Sequence, residues 1–180
     1  EEQTIAIPGL ANGFCEWTDF DRDGHADFLV SGEMMDSTAY TGLFKGDGKG
    51  AFEEVQTPFE NVAYSTGGFG DCNNDNYPDF VITGNRDSVR YARLYKNENG
   101  VFVETSVDIL PIDHGSAKWA DYNNDGWLDF SISGNKADII MNPYPMQNSN
   151  DYNTSWAINT RHYRNLANGN FQPFSNGSPA

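Results

Sequence analysis

Asp121-Tyr122-Asn123-Asn124-Asp125-Gly126-Trp127-Leu128-Asp129 has two counterparts upstream: Asp19-Phe20-Asp21-Arg22-Asp23-Gly24-His25-Ala26-Asp27 and Asp71-Cys72-Asn73-Asn74-Asp75-Asn76-Tyr77-Pro78-Asp79. Each places Asp or Asn at positions 1, 3, 5 and 9 of a nine-residue stretch, and the starts at 19, 71 and 121 lie 52 and then 50 residues apart. One acidic turn is ordinary chemistry. Three in register are an internal repeat, which constrains fold before any other feature does.

The similarity extends outward from the acidic stretches. Each runs into an apolar segment closed by glycine: Asp27-Phe28-Leu29-Val30-Ser31-Gly32, Asp79-Phe80-Val81-Ile82-Thr83-Gly84 and Asp129-Phe130-Ser131-Ile132-Ser133-Gly134. Each segment reads as a short strand stopped by its glycine. An aromatic residue stands two positions before each acidic stretch, at Trp17, Phe69 and Trp119. Downstream, Leu43 to Phe52, Leu94 to Phe102 and Tyr163 to Phe171 each enclose a Gly/Asn-rich turn between apolar segments, which is a hairpin signature. The expected fold is all-β: three units of about 50 residues, each a four-stranded antiparallel β-propeller blade, with the ring incomplete within one chain. The units span about 13–57, 65–107 and 115–175 of a single domain covering 1–180, with residues 1–12 as the closing strand of a preceding or shared blade.

Oxygen donors at positions 1, 3, 5 and 9, with a residue tolerant of positive φ at position 6 and a backbone carbonyl near position 7, suit a hard cation such as calcium. Asn76 replaces the glycine of the other loops, and asparagine accepts the left-handed conformation better than other non-glycine residues. The loops are not EF-hands: position 12 is Val30, Ile82 or Ile132, so the bidentate Glu is absent. Magnesium, which retains its waters, suits an all-protein cage less well. The ten Asp of the three loops repel one another unless a cation is bound. The alternative is three solvated Asx turns.

With Trp119-Ala120-Asp121 through Asp129 and Leu94-Tyr95-Lys96-Asn97-Glu98-Asn99-Gly100-Val101-Phe102, the chain resembles the FG-GAP/VCBS repeat family, the calcium-binding blades of integrin-α-type propellers. The resemblance implies about three Ca2+ per chain. The side-chain ligands would be Asp19, Asp21, Asp23 and Asp27; Asp71, Asn73, Asp75 and Asp79; and Asp121, Asn123, Asp125 and Asp129. His25, Tyr77 and Trp127 would supply carbonyls. It also implies an extracellular setting, Trp17, Phe69 and Trp119 as wedges between blades, and ligand binding on the face opposite the calcium loops. Three blades are fewer than the usual four to eight, so the chain is expected to be either part of a longer propeller or a homo-oligomer completed by its neighbours.

Composition narrows the function classes. The 180 residues include 11 Lys+Arg against 26 Asp+Glu, a formal charge of −15, which argues against a nucleic-acid partner. Apolar runs such as Ile139-Ile140-Met141 are far short of the roughly 20 residues a membrane span needs. The start at Glu1, without Met, a basic region or an apolar stretch, implies that any signal peptide has been removed or lies outside this sequence. Cys15 and Cys72 leave two options, one bridge or two buried free thiols. The third unit carries an insertion at 135–160, rich in Tyr, Asn and Pro, where Tyr144, Tyr152 and Trp156 are candidate contacts for a carbohydrate or protein ligand. That loop could equally pack its own aromatics or cover a blade edge. Asn153-Thr154-Ser155 and Asn176-Gly177-Ser178 are glycosylation sequons, meaningful in a eukaryotic secretory protein.

His25, His114 and His162 fall in no HExxH or GxSxG arrangement, and no nucleophile and base pair stands out, so no enzymatic activity is expected. The leading expectation is an extracellular calcium-stabilised binding or adhesion module. The alternatives are a self-assembling structural subunit and a non-catalytic part of a secreted polysaccharide-active enzyme.

Overall fold

The computed structural model describes residues 7–137 and 156–174. Twelve strands follow in chain order: β1 (Ala11–Thr18), β2 (Asp27–Glu33), β3 (Ala39–Gly46), β4 (Phe52–Val55), β5 (Ala63–Gly70), β6 (Asp79–Arg86), β7 (Val89–Glu98), β8 (Val101–Glu104), β9 (Asp113–Ala120), β10 (Asp129–Ala137), β11 (Trp156–Asn165) and β12 (Phe171–Phe174). They form three separate four-stranded sheets in simple up-and-down order, β1–β4, β5–β8 and β9–β12, every pair antiparallel. The all-β expectation of three blades in an unclosed ring holds. The closing strand of a preceding or shared blade expected within 1–12 falls, by the repeat register, on residues that lie outside the described ones.

The blades stack through alternating side chains. Leu29 and Leu43 of the first blade pack with Phe80, Ile82, Tyr95 and Phe102 of the second in one buried cluster. Val81 and Leu94, on the opposite face of the second blade, pack with Phe130, Ile132 and Tyr163 of the third. Period-two alternation therefore makes the middle blade apolar on both faces. Hydroxyl groups latch the junctions: Ser31 Oγ donates to the Val62 carbonyl (2.9 Å), and Thr83 Oγ1 accepts the Ile112 N–H (3.1 Å). On the outer face of the third blade, Ser131 and His162 bond each other (2.7 Å) where the other blades carry aliphatic residues.

Gly32, Gly84 and Gly134 do not stop their strands: β2, β6 and β10 run on to Glu33, Arg86 and Ala137. The first strand of each blade carries a bulge opposite, where Asn12, Tyr64 and His114 adopt φ of 52°, 49° and 50°. The bulge brings a carbonyl so close that a Cβ on the glycine would lie 2.6 Å from Ala11 O, 2.8 Å from Ala63 O or 2.7 Å from Asp113 O. The repeated glycine thus marks close backbone approach, not termination.

The insertion is shorter than 135–160. Asn135, Lys136 and Ala137 pair with Ile158, Ala157 and Trp156, so both ends are ladder, and Trp156 belongs to β11 rather than to a loop. Tyr144, Tyr152 and both sequons lie outside the described residues. The thiols are free and unlike: Cys72 is buried, whereas Cys15 is exposed, so neither the bridge nor the pair of buried thiols describes them.

Candidate metal centre

Each acidic stretch forms the connection between the first and second strands of its blade, so all three lie at one end of the stack. The local fold follows from side chains capturing nearby backbone N–H groups. In the second loop Asp71 accepts from Asp75 N–H (3.1 Å) and Asn76 N–H (2.7 Å), Asn73 accepts from Asp75 N–H (3.2 Å), and Asp75 accepts from Tyr77 N–H (2.8 Å). The third loop repeats these bonds: Asp121 accepts from Asp125 and Gly126, Asn123 from Asp125, and Asp125 from Trp127, between 2.9 and 3.1 Å. In the first, Gly24 N–H donates to Asp19 (3.1 Å), Asp23 N–H to Asp21 (3.3 Å) and His25 N–H to Asp23 (2.9 Å).

Position 6 is left-handed in all three loops, with φ of 84° at Gly24, 70° at Asn76 and 86° at Gly126, so Asn76 does replace glycine as expected. Position 4 is left-handed too, at Arg22 (61°), Asn74 (58°) and Asn124 (56°), which spacing did not reveal. These residues reach sideways. The Arg22 guanidinium lies 5.5 Å from the Tyr77 ring of the next loop, and Asn74 Nδ2 donates to Gly126 O (3.0 Å) of the third.

Position 9 has a structural duty that the motif conceals. Asp27, Asp79 and Asp129 are buried, and each uses both carboxylate oxygens on backbone N–H groups. Asp27 accepts from Phe20 (3.0 Å) and Gly46 (2.9 Å); Asp79 from Cys72 (2.9 Å) and Asn97 (2.8 Å); Asp129 from Tyr122 (3.4 Å) and Asn165 (2.7 Å). Each therefore clasps its own loop to the third strand of its blade. Burial raises the pKa of all three above the ordinary carboxylate value, outweighing the N–H groups that oppose it.

Electrostatics single out the first loop. One oxygen each of Asp19, Asp21 and Asp27 lies within 4.8 Å of the others, and Asp19 Oδ1 is buried with no hydrogen-bond partner. Lys45 Nζ contacts Asp21 Oδ2 and lies 2.9 Å from Asp23 Oδ2. Its hydrogen bonds to those two carboxylates raise the Lys45 pKa, and its proton in turn lowers that of Asp23. The equivalent residues of the other blades are also cationic: Lys96 donates to Asn168 O (2.8 Å), and Arg164 lies 3.9 Å from Asp125. A buried acceptor without a donor, among converging carboxylates, fits a hard cation with oxygen ligands.

Of the aromatic wedges, two sit as expected. Phe69 packs against the cluster that Leu29 and Leu43 of the first blade form with Phe80 and Tyr95 of the second, and Trp119 donates its Nε1–H to Gly68 O of the second blade (2.9 Å). Trp17 does not: it is 61% exposed and lies over Phe28 (5.2 Å), on the side of the first blade that faces no other described blade. At the other end of the stack, a cleft of about 510 Å3 runs between the first and second blades, lined by Glu33, Asn61, Tyr64, Asn85 and Arg86 among others.

No curated protein matches the chain. A family model described as an FG-GAP-like repeat matches residues 19–82 and again 71–131, so each match begins on the first Asp of an acidic loop and runs into the second strand of the following blade. With those overlapping matches covering more than half of its length, the chain belongs to the FG-GAP-like repeat family.

Proposed function

We propose that the protein is an extracellular, calcium-stabilised binding module, with one Ca2+ in each acidic loop and a carbohydrate or protein ligand at the opposite end. The observation that carries the cation is Asp19 Oδ1, a buried carboxylate oxygen without a donor, beside Asp21 and Asp27. Calcium would give that oxygen a partner and relieve the repulsion among ten Asp. Asp19, Asp21, Asp23 and Asp27, with the His25 carbonyl, would hold it in the first loop, and the equivalent residues in the others. Its role there is structural, setting the geometry of the loops. Lys45 would then have to yield Asp21 and Asp23.

The cleft beside Tyr64 supports the ligand reading, since an aromatic face with amides and charged groups suits sugar or peptide recognition. Calorimetric titration with calcium tests the metal: about three sites are expected, falling by one in Asp19→Asn, and absence of binding overturns the reading. Screening glycans for both binding and turnover separates a binding module from part of a polysaccharide-active enzyme.

A second reading, self-assembly through blade faces, is favoured by Trp17. Its counterparts Phe69 and Trp119 are packed at blade junctions, whereas Trp17 is 61% exposed. Light scattering in calcium would then show an oligomer that Trp17→Ser dissociates; a monomer at all concentrations removes this reading.

A further inference from the structure

Two buried asparagines join the first and the second acidic loop to the blade that follows each. Asn97, at the end of the third strand of the second blade, donates from Nδ2 to Phe20 O of the first loop (2.8 Å) and to Pro78 O of its own loop (3.2 Å). Its Oδ1 accepts the Gly100 N–H (2.7 Å), and its backbone N–H donates to Asp79. Asn165 repeats the arrangement one blade on. Its Nδ2 donates to Cys72 O of the second loop (2.7 Å) and Leu128 O of its own (3.0 Å), its Oδ1 accepts the Ala167 N–H (3.0 Å), and its N–H donates to Asp129. Both side chains are essentially inaccessible to water and fully satisfied.

The carbonyls they grip are well placed to matter. Phe20 lies between Asp19 and Asp21, and Cys72 between Asp71 and Asn73, the first two ligand positions of each loop. Phe20 N–H and Cys72 N–H are meanwhile held by Asp27 and Asp79. Residue 2 of the loop is therefore fixed at its N–H by its own blade and at its carbonyl by the next. The bonds form an unbroken run through all three loops: Asp129, Asn165, Cys72, Asp79, Asn97, Phe20 and Asp27. Arg22 to Tyr77 and Asn74 to Gly126 are parallel links at the surface.

We propose that Asn97 and Asn165 are positioning residues acting on the cation loop of the preceding blade, so that the three loops order and bind as a coupled unit rather than independently. The proposal rests on the calcium reading for its binding component. The physical basis is that a polar group buried in low dielectric has no alternative partner: if the first loop rearranges, Asn97 loses Phe20 O, and the strain reaches Asp79 through the same residue. The device is directional. Gly46 occupies the position of Asn97 and Asn165 in the first blade, and among the described residues no amide side chain grips Tyr122 O of the third loop. The third loop accordingly depends least on a following blade.

Hydrogen exchange of the full chain, read by mass spectrometry with and without millimolar calcium, tests this. In Asn97→Leu, amides of the first loop, in a blade that carries no substitution, should exchange at least about fivefold faster without calcium, while the third loop, linked to it only through the second, changes less. The calcium concentration that protects the first loop should rise by a similar factor. Uniform deprotection of every strand, or change confined to the second blade, would assign Asn97 an ordinary structural role and overturn the proposal. As a check that leaves Asn97 in place, disabling the second loop with Asp71→Ala and Asp75→Ala should raise the calcium midpoint of the first loop by about fivefold or more; an unchanged midpoint overturns the coupling. If calcium protects no loop in the parent protein, the metal reading fails and the binding component with it. The calcium-free comparison then decides the positioning role by itself.

Discussion

Replacing Trp119 by alanine should destabilise the protein far more than replacing Trp17, although the two are repeat equivalents. The Trp119 ring packs on Phe130 (5.1 Å) and Phe171 (6.0 Å), and its Nε1–H bonds Gly68 O (2.9 Å). It also covers the Gly70 backbone so closely that a Cβ there would lie 2.7 Å from the indole Cγ. A fully buried Trp→Ala change costs about 3–5 kcal/mol. Trp119 is only partly buried but loses a hydrogen bond worth about 1 kcal/mol as well, so about 2–4 kcal/mol is expected. With a urea dependence of about 2 kcal/mol/M, mid-range for a small protein, the unfolding midpoint falls by about 1–2 M. Trp17, 61% exposed, loses mainly its cover over Phe28 and Phe52, and Trp17→Ala should cost about 1 kcal/mol or less. Urea unfolding followed by far-UV circular dichroism in calcium compares the two. Equal shifts, or a Trp119→Ala midpoint within error of the parent, would refute the account of the blade junction.

Chelation should lower the melting temperature. Calcium at about a hundred times its Kd contributes about 2.7 kcal/mol per site, and a chain of this size shifts by about 2–4 °C per kcal/mol, so an EGTA melt unchanged from that in calcium contradicts the metal assignment. Asp79→Ala leaves the buried N–H groups of Cys72 and Asn97 without an acceptor and should cost about 2–5 kcal/mol even in EGTA, as denaturant titration would show; a neutral result removes the clasp. Burial raises the Asp79 carboxyl pKa above its ordinary 3.8, so the native state without metal binds a proton more readily than the unfolded chain. The proton-linked part of the Asp79 contribution is thus present in full below about pH 3.8 and is lost as pH rises through the elevated native value, leaving the hydrogen-bonded clasp; urea midpoints of Asp79→Asn and parent in EGTA should lie closer together at pH 4 than at pH 7, and the reverse refutes the sign. A thiol reagent near pH 8 should label one cysteine of the native protein, Cys15, and reach Cys72 only on unfolding, since burial shields that thiol and pushes its pKa up; two rapidly labelled thiols would contradict the packing.

The parts of the molecule legible in the sequence are those that neighbouring residues build together. Asx-type turns close through side chains two to five residues from the N–H they accept, so spacing alone marked out Asp71 to Asp79 and its two relatives. Strand alternation and the Asn99-Gly100 turn, with φ of 56° and 87°, are equally local. The glycines misled because their requirement comes from another strand: nothing near Gly84 in sequence announces that Ala63 O will press against it. Trp17 was grouped with Phe69 and Trp119 for the same reason, since a repeat position predicts orientation within a blade but not whether a neighbouring blade stands opposite.

The sequence by itself determined the repeat, the four-strand unit and the three acidic loops, because each is specified by contacts within a blade or a turn. Only the tertiary structure decided how those loops relate. Asn97 and Phe20 are 77 residues apart, Asn165 and Cys72 are 93 apart, and the burial of both amides depends on two blades packing face to face. A periodic pattern records what recurs along the chain. Which carbonyl a buried amide grips is settled by stacking, where a group removed from water must find its partner in the adjoining blade.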